Sequence, residues 1–249
     1  MSIEQINQTN FLNFIQLAFF DPNQEIRKAH EQSLMLLMQN SPDNFVNFCV
    51  SFFNKTNIDI SLRRTISTIL KLAIKPTIGN EALSVWQKIS DQTKISIQEC
   101  GLMNLIDDDE NIRNAAASLV ADAFVCDCLF EKKWVDLLSN LSSNLNHEDP
   151  SIQKSSILTL GYICEVLHQQ KITCLSNEQI DALITGVCLG LKNYDHKTLT
   201  ALRALENSMN FLVESVKKET VSDFIMNLLV TILIQANDNK NEPIIRQCI

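Results

Sequence analysis

Asp109-Glu110-Asn111-Ile112-Arg113-Asn114-Ala115-Ala116-Ala117-Ser118-Leu119-Val120-Ala121-Asp122-Ala123 decides the fold. It opens on an acidic turn, then a branched apolar residue, then a basic one. Ile112, Ala115, Ala116, Leu119, Val120 and Ala123 follow at i, i+3, i+4, i+7, i+8 and i+11, one apolar stripe along a helix. The acidic run Asp107-Asp108-Asp109-Glu110 sits where carboxylates cap and attract the free N–H groups of a helix start. That use explains the run better than a partner site does.

The same opening recurs at Asp21-Pro22 before Ile26-Arg27, at Asp149-Pro150 before Ile152, and at Glu242-Pro243 before Ile245-Arg246. Between these lie further stripes at helical spacing. Trp134, Leu137, Leu138, Leu141 and Leu145 form one; Ile180, Leu183, Ile184, Val187 and Leu191 a second; Val221, Phe224, Ile225, Leu228 and Ile232 a third. The motif returns about every 45 residues, the period of HEAT and armadillo helix pairs. No stretch alternates with period two. The expected fold is an all-α HEAT-repeat solenoid, a right-handed superhelix of antiparallel helix pairs, with about five full repeats plus part of a sixth. The spacing predicts pairs at 9–20 and 23–39, 42–54 and 59–74, 81–105 and 110–125, 131–145 and 150–168, and 177–192 and 196–213. A sixth pair starts at 218–236 and continues from Glu242. The long helix at 81–105 is expected to break.

Composition fits. The 249 residues include only 5 Gly and 5 Pro, and 45% are hydrophobic. Pro22, Pro150 and Pro243 sit where second helices begin, and Pro42 where a first helix begins; a first helical turn has no partner for that N–H in any case. Residues 1–249 read as one array, the N-terminal fragment of a longer solenoid, because the helix at Glu242 stops with no polar cap. No basic segment precedes an apolar stretch as in a signal peptide, and no apolar run is long enough to span a membrane.

Net charge is −8, and the 21 Lys and Arg are dispersed. A phosphate-tracking surface needs them clustered, so nucleic acid is not an expected partner. Acidic surfaces favour basic proteins instead. The eight cysteines (49, 100, 126, 128, 164, 174, 188 and 248) include no C-x-x-C, and most read as small core hydrophobes. Cys164 and His168 share a helix face but supply only two ligands, so no metal is expected. Reduced thiols are expected. The chain has no Gly-rich phosphate loop, nucleophile elbow or H-E-x-x-H. No cofactor and no enzymatic activity are expected. Gly161 and Gly186 lie inside helical patterns and read as points of close helix approach.

Lys154-Ser155-Ser156-Ile157-Leu158-Thr159-Leu160-Gly161-Tyr162-Ile163-Cys164 resembles a fourth-repeat helix of the importin-beta family of nuclear transport receptors. Ser176-Asn177-Glu178, Ala182-Leu183-Ile184-Thr185-Gly186, Ala204-Leu205-Glu206-Asn207-Ser208-Met209-Asn210-Phe211 and Phe224-Ile225-Met226 resemble its next segments in order. Trp134 also sits where that family carries a Trp before an apolar run.

The resemblance implies two binding activities. One is recognition of the GTPase Ran in its GTP form by second helices on a concave face, with Arg27, Arg63, Lys71 and Arg113 as candidates. An ordered switch exists only while the γ-phosphate holds it. Arg27 and Arg113 also fit a role at repeat junctions. The other is capture of nucleoporin Phe-Gly repeats between first helices, with Ile180, Ile184, Phe224 and Ile225 as the groove. All four also belong to core stripes, and Ile225 is expected to lean toward the core. Importin-alpha or cargo would engage mainly repeats beyond residue 249. The implied location is cytoplasm, nucleus and nuclear pore. Two other readings remain: a HEAT scaffold subunit of phosphatase or translation type, and an enzyme with a helical site.

Overall fold

The computed structural model describes residues 6–75, 84–172, 174–192, 194–212 and 219–248, with the side chains of 210–212, 219–222 and 224 outside that description. Every regular element among the described residues is a helix: α1 Phe11–Phe20, α2 Gln24–Asn40, α3 Pro42–Phe53, α4 Ile60–Ile74, α5 Val85–Lys88, α6 Asp91–Asn104, α7 Glu110–Phe130, α8 Leu137–Asn144, α9 Pro150–Gln169, α10 Asn177–Leu191, α11 Thr198–Leu212, α12 Glu219–Asp238 and α13 Glu242–Cys248. The predicted pairs are present. Their starts are set by side chains that accept a free N–H: Asn23 from Glu25, Asp59 from Ser61, and Asp149 from Ser151. Pro42 and Pro150 open α3 and α9.

The stretch 81–105 breaks, as expected, into two helices, with Ile89 and Ser90 between them; residues 81–83 lie outside the described residues. Ser90 caps α6 by accepting from Thr93 N. Asp43 fixes the break: its Oδ1 accepts from Ser90 N at 2.9 Å, Ser90 Oγ at 2.8 Å and Thr93 Oγ1 at 2.5 Å. The helix predicted at 131–145 spans only 137–144. Asp127 is the cause. Its backbone oxygen accepts from Glu131 N and Lys132 N, and its Oδ2 from Lys133 N at 2.9 Å and Trp134 N at 2.8 Å. Lys132 turns to φ 59°, and Trp134 stays ahead of α8 rather than on its stripe.

The chain divides into two compact units, Met1–Cys126 and Asp127–Ile249. The first is centred on Phe11, Phe45, Phe53, Ile66, Leu70, Trp86 and Ile97, all essentially inaccessible. Phe11 packs its ring on Phe45, Phe48 and Phe52. The second is centred on Ile157, Leu160, Ile163, Leu183, Val187 and Ala201. Its densest packing is α9 on α11. A Cβ on Gly161 would lie 3.0 Å from Ala204 Cβ and 3.1 Å from Ala204 Cα, so any side chain there would press α11 outward by a few tenths of an ångström.

Candidate protein-docking surfaces

Helix α10 is fixed at its start by a reciprocal capping box. Ser176 accepts from Gln179 N, and Gln179 Oε1 accepts from Ser176 N at 3.0 Å. Leu183, Val187 and Leu191 point into the core. Two glycines press the helix close to its neighbours. A Cβ at Gly186 would meet Ser142 Oγ at 2.7 Å and Leu160 Cδ1 at 2.8 Å; one at Gly190 would meet Ile157 Cδ1 at 2.8 Å. With the buried face so defined, Ile180 and Ile184 fall on the shoulder of the helix. Both are half-buried, whereas Leu183 and Val187 are at 0%. Helix α12 packs beside α10.

The groove assignment is redrawn at Ile225. Ile225 is 4% exposed. It lines a cleft of about 370 Å³ between α11, α12 and α13, together with Leu202, Leu205, Met209, Met226 and Leu229. It therefore faces second helices, because it is rotated about 100° from Phe224 on one helix. The side chain of Phe224 lies outside the described residues, as does that of Val221.

The four basic candidates have different surroundings. Arg63 is corrected: it is 3% exposed and has no surface to offer. Its Nε donates to Phe53 O at 2.9 Å, and one terminal nitrogen donates to Asn104 Oδ1 at 2.8 Å and Asp107 Oδ2 at 2.7 Å. Asn104 in turn donates to Asn54 Oδ1 at 2.7 Å and Cys100 O at 2.8 Å. Arg27 and Arg113 repeat one junction device six residues down from an acidic turn. Arg27 donates to Asp21 O and Pro22 O, and Arg113 to Asp107 O and Asp108 O. Both stay half-buried. Lys71 is half-buried, its side chain 34% exposed, with its ammonium 3.9 Å from the buried carboxylate of Asp122.

Nothing in the pattern of charges distinguished Arg63 from Arg64, which is exposed. The available signal was position: Arg63 follows Leu62 on the inward side of the stripe Leu62, Ile66, Leu70 and Ile74. Burial also raises the thiols of Cys49 and Cys164, that of Cys100 to about 12 and that of Cys188 to about 11. Among the described residues, no three His, Cys, Asp or Glu converge as metal ligands do, and no helix is long and apolar enough to cross a membrane.

No family model matches the chain. Curated relatives do. Importin subunit beta-1 of Saccharomyces cerevisiae is 25% identical over 234 residues, 90% of this chain and 27% of that protein. Importin subunit beta-1 of Schizosaccharomyces pombe is 29% identical over 153 residues, 60% of this chain and 17% of that protein. The Arabidopsis thaliana protein of the same name is 24% identical over 82% of this chain and 24% of its own length. Over most of its length the chain is thus similar to importin subunit beta-1.

Solved structures give the same fold. Yeast importin-beta, Kap95p, superposes with a TM-score of 0.81 at 20% identity, over 98% of this chain and 28% of that one. Kap95p with RanGDP gives 0.83, and the Kap95:Nup1 complex 0.80, each at 20% identity and with the same coverage. The importin-beta-like chain described here is thus a HEAT-repeat solenoid that spans about a quarter of the length of the relatives it matches.

Proposed function

We propose that this chain acts in nuclear transport, binding Ran-GTP through its second-helix layer and nucleoporin Phe-Gly repeats through a groove between α10 and α12. One observation carries the reading. A family member's fold is kept over nearly the whole chain, while Ile180 and Ile184 sit half-buried on a first helix beside the next first helix. A Phe ring laid on those two side chains gains about 1.5–3 kcal/mol from burial. That is weak alone and suited to many fast contacts in parallel. For Ran, Lys71 is a half-exposed cation paired with Asp122, and Arg27 and Arg113 hold helix-start geometry around acidic turns that a basic partner can reach. Such a protein works in the cytoplasm, in the nucleus and at the pore, and it needs no cofactor or catalytic group. Importin-alpha and cargo, which the resemblance places past residue 249, are not proposed as partners of this portion.

The test uses immobilised Ran loaded with GTP or GDP, and beads carrying Phe-Gly repeats. Retention on both, with GTP preferred, is expected. Equal affinity for the two nucleotide forms would remove the switch-reading mechanism. Retention on neither would favour a scaffold that holds other partners.

A further inference from the structure

Helix α6 carries apolar residues on opposite sides, and packing accounts for only one of them. Thr93, Ile97, Cys100 and Asn104 are buried. That side rests on α3, where Asn104 donates to Asn54 Oδ1. Ile95 and Leu102 stand two residues from Ile97 and Asn104 respectively, a rotation of about 200°. They therefore point away from the buried side, and they are 44% and 40% exposed. Met103, and Ile106 in the turn just past the helix, are 62% exposed each. The four make an apolar ridge roughly 16 Å long at the helical rise of 1.5 Å per residue. A contiguous apolar stripe left in water marks an interaction surface.

Acidic groups are set along this ridge. Glu99 lies between Ile95 and Leu102 on the same side, and Asp108 follows Ile106 by two residues; both are exposed. Their neighbours are occupied. Asp107 is held by Arg63, and Asp109 accepts from Asn111 N and Ile112 N. Among the described residues, no hydrogen bond or ion pair engages the Glu99 or Asp108 carboxylate. The last carbonyls of α6 add a partial negative charge at the Asp108 end.

We propose that the α6 ridge docks a basic amphipathic helix of a protein partner. Such a helix carries apolar residues at i, i+3, i+4 and i+7, with Lys or Arg on the flanks of that stripe. The stripe covers Ile95, Leu102, Met103 and Ile106, as anchor residues of a docked helix cover an apolar surface. The basic flanks pair with Glu99 and Asp108 and select the partner by charge. The same two carboxylates decide against other occupants. A second copy of this chain, net charge −8, would set like charges against one another. Anionic lipid and nucleic acid are repelled in the same way. An uncharged Phe-Gly segment would leave both carboxylates without a partner. The proposal does not rest on the transport reading, because α10 and α12 contribute nothing to it.

The probe is a dye-labelled synthetic peptide of about five helical turns, with Leu at i, i+3, i+4 and i+7 and Lys on both flanks. Its anisotropy is followed as the chain is added. Binding is expected, and the double variant Glu99→Lys, Asp108→Lys should weaken it at least about tenfold. Both positions are exposed, so melting should stay unchanged. Leu102→Gln combined with Met103→Gln should weaken binding as well. Met226→Gln combined with Val230→Gln, at exposed apolar positions of α12, should not. Raising salt from about 0.05 to 0.3 M should weaken the unmutated chain more than the charge-reversed one. Ile184→Asp, which tests the transport reading, should keep peptide binding whatever it does to Phe-Gly retention. An unaltered affinity after charge reversal, equal binding of a peptide with the same residues in scrambled order, or an equal loss in the α12 variant would overturn the proposal. Loss of Phe-Gly retention in the α6 variants would overturn it too, by giving the ridge to a different ligand.

Discussion

Both units use a glycine joint, Gly101 on Val120 in the first, but the first adds polar joints between its helix pairs. In Met1–Cys126 the pairs are joined through polar groups: buried Arg63 on Phe53 O, Asn104 and Asp107, and half-buried Asp43 on Ser90 and Thr93. In Asp127–Ile249 the closest joints are glycines against apolar groups: Gly161 on Ala204, and Gly190 on Ile157 and Ala201. A polar joint has fixed geometry and consumes side chains that look like surface chemistry in the sequence. A small-residue joint consumes nothing, and it leaves larger residues such as Ile180 and Ile184 for the shoulder of the helix. The difference explains why Arg63 is buried while Ile180 and Ile184 are half-exposed.

The sharpest way to break the comparison is Arg63→Ala. It removes the cation from Asp107 and the donor from Asn104, inside a site where water cannot replace them. Breaking a buried pair from one side costs about 3–5 kcal/mol. Urea unfolding of Arg63→Ala should show a loss in that range. Arg64→Ala, at an exposed neighbouring position, should stay within about 0.5 kcal/mol of the unmutated chain. Equal small losses would mean that the polar joint is not what holds α4 to the α6–α7 turn.

The glycine joint is tested next, by Gly161→Val. Ala204 Cα and Cβ already stand 3.1 and 3.0 Å from where a Cβ would go. A helix backbone cannot withdraw as a side-chain tip can. Overpacking of this kind costs about 1–3 kcal/mol. Gly186→Ala should cost less. Its contacts, Ser142 Oγ and Leu160 Cδ1, are side-chain ends that can rotate away. Replacing Gly within a helix also returns about 1 kcal/mol of propensity. A Gly186→Ala loss larger than that of Gly161→Val would reverse this ordering.

How much the sequence disclosed follows the same divide. Helix pairs were legible because a stripe at i, i+3, i+4 and i+7 is a local signal. The place of the expected break and the missed start of α8 have other causes. The break at Ser90 depends on Asp43, 47 residues earlier. The late start of α8 depends on how Asp127 gathers the N–H groups of the residues after α7. Arg63 could be read as a cation but not as a buried one, since its partners are 41 and 44 residues away. The stripe of α10 was legible, but its width was not. Nothing in Ile180-Asp181-Ala182-Leu183-Ile184 says that Leu183 is sealed and Ile184 half-open.

Ile184→Asp sharpens that last point and has a smaller expected effect on stability. A half-buried Ile gives up about half of the 1.5–3 kcal/mol of full burial, and a carboxylate at the shoulder can stay hydrated. Melting should shift by only a few degrees, while retention on Phe-Gly beads should fall sharply. Leu183→Asp, one residue away and fully buried, should not fold at all, because an unpaired charge there has no water. If the two variants melt alike, α10 has no open shoulder and the groove assignment fails.

The smallest effect expected is a pH dependence in the polar unit. Burial works to raise the Asp43 carboxyl, but hydrogen bonds from Thr93 and Ser90, with the charge of Lys94, outweigh it and hold the pKa below the ordinary 3.8. A carboxyl depressed in the folded state binds fewer protons there than in the unfolded chain. Its stabilisation is therefore fully present above the unfolded value and is lost as pH falls through the folded one. Stability measured downward from pH 5 should decline below about 3.8. Asp43→Asn should lower stability at pH 5 and flatten that decline, since the amide still accepts from Ser90 and Thr93 but carries no charge to lose. A decline as steep in Asp43→Asn as in the unmutated chain would assign the acid sensitivity to other carboxylates. Asp43 would then close the α3–α6 joint by geometry alone.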